Sequence, residues 1–273
     1  MVKKIHTFIK TKRAKIFFWI CFSLSLLTVV FFIVRETQVL PQSAINILVD
    51  VLLPNKGDNV LVIVPHQDDE TLGAGGFIQR ALENKANVFL ILVTDGNHRK
   101  LEAKRIEEFK NVTKFFGIPK SNIAYLDFPD DKLSQMDVSI IKKDLISKML
   151  DVDPKFILYP TSQDSHPDHH VIGTIIEDSL DIFPGVKAYG YLVHHSGFPQ
   201  PEGLHKNAYI LPPLSMLSLD TSWEALRMTK NEQARKCEAI LMYKTQIKNP
   251  LPVLKNLMLA FCRQNEIFLT AKY

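Results

Sequence analysis

Cysteine is scarce, with three residues in a chain of 273. Cys21 lies in an apolar run, which leaves Cys237 and Cys262. Those two can pair in an oxidising compartment, but they supply no disulfide framework, so the core must come from apolar side chains. A basic surplus is also missing from most of the chain. The formal charge is +4, yet Lys3, Lys4, Lys10, Lys12, Arg13 and Lys15 stand in an N-terminal tail without acids. Without those six, 27 basic residues face 29 acidic ones, so the remainder carries about −2. A nucleic-acid binder concentrates basic charge on its folded domain, and that class is set aside. There is no internal repeat and no low-complexity tract.

The run from Ile16 to Val34, "IFFWICFSLSLLTVVFFIV", lacks charge, proline and glycine. At ~1.5 Å per residue it matches a ~30 Å hydrocarbon core. No small-x-small cleavage site follows, which argues against a signal peptide. Such uniform apolarity is also unlike a core helix. The expectation is a basic cytoplasmic tail over 1–15 and an uncleaved transmembrane anchor over 16–34. The excess of positive charge before the run puts the N-terminus inside and the rest of the chain in the periplasm or outside the cell. Residues 35–58 read as a stem, with a short helix in "SAINILVDVLLP" and a turn from Pro54 to Asn59. The folded domain is expected over 59–273.

From Val60 the pattern alternates. Short apolar runs of the parallel-sheet kind occur at 60–64, 86–94, 122–128, 155–160 and 187–193. Helical patterns fall between them, at Gly73–Leu82, Lys100–Phe116, Val138–Leu150 and Pro167–Leu180. This order predicts an α/β fold with a Rossmann-like, doubly wound, mostly parallel sheet. Beyond Pro199 the pattern weakens. Strands are expected near Ala208–Leu211 and Trp223–Met228, and helices near Asn231–Lys244 and Pro252–Arg263.

Ligands of such sheets bind beyond the carboxyl ends of the strands. Two polar clusters fall there: "PHQDDE" after the first strand and "TSQDSHPDHH" after the fourth. The following "GAGG" resembles part of a dinucleotide fingerprint but lacks its spacing. Asp68, Asp69 and Glu70 would also face a pyrophosphate, and like charges at ~4 Å repel by roughly 4 kcal/mol at an effective dielectric of 20. Carboxylates beside an imidazole attract a cation instead. The glycines then serve a sharp turn and close helix packing. His66 and Asp69 are three residues apart, and the second cluster offers His166, His169 and His170. Two imidazoles and one carboxylate leave a fourth position open, the arrangement of catalytic zinc.

These motifs resemble the PIG-L/LmbE-like zinc-dependent de-N-acetylases, which remove acetyl groups from N-acetylglucosamine-containing substrates. The resemblance covers roughly Val60 to Phe268. It rests on "HQDDE" and "HPDH", with "RxxE" at Arg105 and Glu108, "LDFPDDKL", "KCEAILMYKTQ" and "RQNEIF" in support. It implies His66, Asp69 and His169 as metal ligands and Asp68 as general base. It implies His166 as oxyanion stabiliser with Asp168 as its partner, and Arg105 and Asp130 as substrate contacts; a protonated His166 would supply the donor, with Asp168 offsetting the helix dipole that disfavours its charge. Gln67 stands where the family usually has proline, which loosens the turn but removes no ligand.

The remaining polar residues read more plainly. His194 and His195 follow the fifth strand; His195 is taken as a pocket contact. Asp95 and Asn97 belong to a turn. Lys236 and Tyr243, and the apolar Leu254, Leu257 and Phe261, read as packing. The expected function is zinc-dependent hydrolysis of the N-acetyl group of an amino sugar, in a glycan or glycolipid. Iron(II) is compatible with the same ligands. Two alternatives are a non-catalytic glycan- or lipid-binding protein on the same scaffold and a deacetylase of a soluble thiol-sugar conjugate.

Overall fold

Val60 to Val64 are fully buried, because the strand that carries them has neighbours on both edges and helices on both faces. A computed structural model of the chain describes residues 15–30, 39–97, 100–248 and 252–271. The chain divides into two units, Met1–Leu40 and Pro41–Tyr273.

In the first unit, residues 15–30 form a helix, α1. Among the described residues no helix is long and apolar enough to cross a membrane. The expected transmembrane anchor, the membrane as a partner and the single-pass localisation are therefore withdrawn. Positions 31–34 of the expected span, and 1–14 of the tail, lie outside the described residues.

The second unit is built on one sheet of eight strands: β1 (Val49–Asp50), β2 (Asn59–Val64), β3 (Asn87–Thr94), β4 (Ile123–Phe128), β5 (Phe156–Pro160), β6 (Lys187–Tyr191), β7 (Thr221–Arg227) and β8 (Asn265–Ala271). Their order is β1-β7-β8-β6-β5-β2-β3-β4. The block β6-β5-β2-β3-β4 is parallel throughout, as expected. β8 then pairs antiparallel with both β6 and β7. Neither β8 nor β1 was expected. Residues 41–58 of the segment read as a stem pack against the domain, with a short 3-10 helix at Gln42–Ile47 where a helix was expected: β1 pairs with β7, Ile45 is buried, and the Leu52 N–H donates to Tyr189 Oη at 2.7 Å.

The helices are α2 (Asp69–Glu83), α3 (Glu102–Phe116), α4 (Val138–Val152), α5 (Pro167–Glu177), α6 (Lys230–Met242), α7 (Lys244–Ile247) and α8 (Pro252–Leu259). On one sheet face Leu61, Ile63, Ile91 and Ile157 pack with Ile141 and Leu145 of α4 and Ile172 and Ile176 of α5. On the other, the Phe77 ring of α2 meets Phe156, Tyr189 and Phe268 at 5.7–6.2 Å between centroids. Each such buried side chain contributes roughly 1.5–3 kcal/mol. β2 and β5 are adjacent, and the connections leaving them run in opposite directions across the sheet. This is the crevice where open α/β sheets bind ligands.

Two glycines bring helices close to that crevice. A Cβ on Gly73 would lie 2.4 Å from the Tyr191 ring, and one on Gly173 would lie 2.4 Å from the Ser162 backbone nitrogen. The "GAGG" glycines thus lie inside α2, which begins four residues earlier than expected, and the close-packing role holds rather than the turn.

Candidate metal centre

β2 delivers its chain into a tight turn. The His66 N–H donates to Asp69 Oδ2 at 2.8 Å, and Asp68 takes φ 128° so that α2 can start at Asp69. Asp69 and Glu70 occupy the first turn, where the helix dipole favours negative charge. After β5, His166 caps α5: its Nδ1 accepts from the Asp168 N–H at 3.2 Å, and Pro167 begins the helix. That start places His169 on the inner face of α5.

Three donor atoms meet. His66 Nδ1 lies 3.3 Å from Asp69 Oδ2, His169 Nε2 lies 3.0 Å from the same oxygen, and the two nitrogens are 3.3 Å apart. Donors held about 2.0–2.1 Å from a tetrahedral ion stand about 3.3 Å from one another, so the three side chains fit a divalent cation. The charge balance agrees. Burial opposes charge on His66, but the carboxylates of Asp130, Asp168 and Asp69 overcome it and hold the imidazole well above its usual range. His169 is likewise pushed to about 9 against its burial, by Asp69 and Asp164. Asp69, though buried, is held well below the carboxylate range by His169 and His66. The cluster carries negative charge that calls for a cation, and neutral imidazoles would ligate it.

Around these three lies a set of orienting groups. Asp164, which the sequence reading passed over, is buried. Its Oδ2 stands 3.2 Å from His169 Nδ1 and accepts the N–H groups of Val193 and His194, both at 2.9 Å. Its position two residues before His166 is the signal that could have found it, since metal-bound histidines generally carry a carboxylate behind the ring. His66 Nε2 faces Asp130 Oδ1 and Asp168 Oδ2, each at 3.2 Å.

Asp168 is therefore not the side-chain partner of His166. Its carboxylate turns to His66 and accepts the N–H groups of Asp131 and Leu133 at 2.9 and 3.0 Å. His166 Nε2 instead lies 3.1 Å from Asp131 Oδ1. The expected protonation of His166 is also corrected. Burial, then the charges of His66, His169 and His194, lower it to about 4. With Nδ1 accepting a backbone N–H, the neutral ring carries its proton on Nε2.

Asp68 sits beside the donors, half-buried. Burial and the neighbouring Asp69 raise its pKa to about 8, against the pull of Arg105. The cluster opens on a cavity of about 460 Å³ whose wall includes Asp68, Arg105, Asp130, His166, His194 and His195. Arg105 is buried and holds Asp130 Oδ2 at 2.9 Å through Nη1. His195 Nε2 meets Ser215 Oγ at 3.0 Å. His194 was left unassigned by the sequence; its ring lies 4.7 Å from that of His169, and it can join Asp69 and His169 around an ion. Lys236 and Tyr243 stay away from the cavity, as expected. Phe261 is buried, as expected, and with the half-buried Leu257 it also lines the cavity.

A model of the PIG-L family, GlcNAc-PI de-N-acetylase, matches residues 61–180, the stretch from β2 to the end of α5 that supplies all three donors. Over that stretch the chain is similar to the PIG-L/LmbE-like family. It is 30% identical over 131 residues to diacetylchitobiose deacetylase of Thermococcus kodakarensis, covering 44% of this chain and 48% of that protein. It is 27% identical over 140 residues to a probable N-acetyl-alpha-D-glucosaminyl L-malate deacetylase 2 of Bacillus cereus, covering 46% of this chain and 62% of that one. The chain thus spans about half to three-fifths of the length of these curated relatives. The fold matches that of N,N'-diacetylchitobiose deacetylase from Pyrococcus horikoshii, with a TM-score of 0.55 at 20% identity over 78% of this chain and 84% of the other.

Proposed function

We propose that this chain is a metal-dependent amidohydrolase that removes the acetyl group from an N-acetylated amino sugar of the N-acetylglucosamine type. The convergence of His66, Asp69 and His169 on one point, with Asp68 beside them at a cavity, carries the reading. His66, Asp69 and His169 would hold the ion, with zinc first and iron(II) second among candidates for an N₂O donor set. When bound, that ion supplies acidification of water and polarisation of the acetyl carbonyl.

The protein's own groups complete the chemistry. Asp68 accepts the proton of the attacking water and returns it to the amine nitrogen as the C–N bond breaks. A neutral His166 directs its Nε2–H at the carbonyl oxygen as negative charge develops there, a contribution of about 3–4 kcal/mol for comparable donors. Asp168 and Asp130 fix the His66 ring, and Asp164 fixes the His169 ring. Arg105 and Asp130 meet sugar hydroxyls at the cavity wall, with His195 on the opposite rim. The relatives named as deacetylases of diacetylchitobiose and of N-acetylglucosaminyl malate support this substrate class. The second of these also favours a small glucosaminyl conjugate as an alternative substrate.

The test is release of free amine from N-acetylglucosamine and its short glycosides by the purified, metal-analysed chain. Turnover that disappears with a chelator and returns with zinc supports the proposal. Stoichiometric metal with no amine released from any N-acetylhexosamine contradicts it and favours the non-catalytic binding protein.

A further inference from the structure

The cavity has two unlike sides, and the sheet order separates them. The metal donors follow β2 and β5, at the centre of the parallel block. Arg105 on α3, and Asp130 and Asp131 after β4, reach the cavity from the β3–β4 side. On the β6–β8 side the wall is built from Val193 and Phe198, which follow β6, and from Met258 and Phe261, which precede β8. All four are buried, and Phe198 and Phe261 meet edge to face at 6.0 Å. Leu72 joins them from α2, one turn beyond Asp69 and hence on the same helix face. Of the polar groups near this side, His195 Nε2 is taken up by Ser215 Oγ and Gln246 Nε2 by Thr245 Oγ1.

The apolar wall begins at the metal donors themselves. Val193 immediately precedes His194, and its N–H is held by Asp164, the carboxylate behind His169. An N-acyl amino sugar has the same polarity about its scissile amide. The sugar hangs from the nitrogen, and the acyl group hangs from the carbonyl carbon. With the amide at the metal donors and the sugar toward Arg105, Asp130 and Asp131, the acyl group faces Leu72, Val193, Phe198, Met258 and Phe261.

From this arrangement we infer that the enzyme takes N-acyl amino sugars whose acyl chain is longer than acetyl, with the chain buried in the β6–β8 side of the cavity. The inference rests on the amidohydrolase reading above and adds the acyl specificity. Hydrolysis adds one water across the amide, giving a free carboxylic acid and a free amino sugar, and no other reactant enters.

The experiment compares N-acetyl-, N-butanoyl-, N-hexanoyl- and N-octanoylglucosamine as substrates of the full metal-loaded chain, following free amine. Burial of a methylene is worth about fourfold, so kcat/KM should rise at least tenfold from acetyl to hexanoyl, chiefly through KM. Leu257, half-buried on the same wall, gives a variant that keeps the fold, and Leu257→Asn should lower the hexanoyl-to-acetyl ratio of kcat/KM severalfold. A series that is flat or falls with length, while acetyl is still released, overturns the acyl inference and leaves the deacetylase reading standing. Release of amine from none of the four overturns both.

Discussion

Two clusters of buried charge lie on either side of α2, and only one of them has the makings of an active site. On one side Lys236 Nζ meets Glu266 Oε1 at 2.6 Å, and both residues are buried. Lys236 also donates to the Leu72 carbonyl, and Glu266 accepts the N–H groups of Gly76 and Phe77. One cation answers one anion, every contact is to backbone or partner, and neither residue lines the cavity. On the other side His66, Asp69, His169, Asp130, Asp164 and Asp168 bring more carboxylates than the imidazoles can neutralise. That cluster opens on the cavity. Burial of charge alone therefore does not mark function. An imbalance of charge, aimed at one point and open to a ligand, does.

The largest effect should come from the open cluster. Asp68→Asn should lower kcat by roughly 10²–10⁴-fold, the range for a positioned acid–base group, while metal content and melting temperature stay near wild type. Amine release together with metal analysis checks this. The closed cluster should behave in the opposite way. Lys236→Met leaves the Glu266 charge buried without its cation and should destabilise the fold by about 3–5 kcal/mol, read by denaturant unfolding, with kcat per folded molecule little changed. Adding Glu266→Gln should restore part of that loss. An Lys236→Met protein of normal stability would erase the contrast between the two sides.

Asp164→Asn tests the boundary between them, since Asp164 orients a ligand without being one. Metal affinity should fall roughly 10–100-fold, measured by competition with a chelator, with the loss of activity recovered at high metal concentration. Outside both clusters, Thr229 caps α6 in a reciprocal arrangement with Glu232. Thr229→Ala should cost about 1 kcal/mol in unfolding free energy and leave metal affinity and turnover unchanged.

The parallel half of the fold was legible because its strands are uniformly apolar and regularly punctuated. So were His66, Asp69 and His169, whose spacing sits at two strand ends. β8 was not, because Asn265, Glu266 and Thr270 interrupt its pattern although all are buried. Glu266 is taken up by Lys236 and α2. Asn265 bonds both the N–H and the carbonyl of Ile210. That second contact also explains why the strand expected at Ala208–Leu211 is absent: its backbone is answered by a side chain rather than by a ladder. The protonation of His166 was not legible because burial and the charges of His66, His169 and His194, which come together only in the fold, lower its pKa. The hydropathy of residues 16–34 suggested a membrane span, but among the described residues no helix is long and apolar enough to cross a membrane.

The most direct test is the metal content of the purified chain beside that of His169→Ala and Asp69→Asn, with circular dichroism confirming that all three are folded. A site gripped by these side chains predicts about one divalent ion per wild-type chain and its loss from both variants. Equal metal in all three proteins, or a folded and active wild type that holds none, would contradict it.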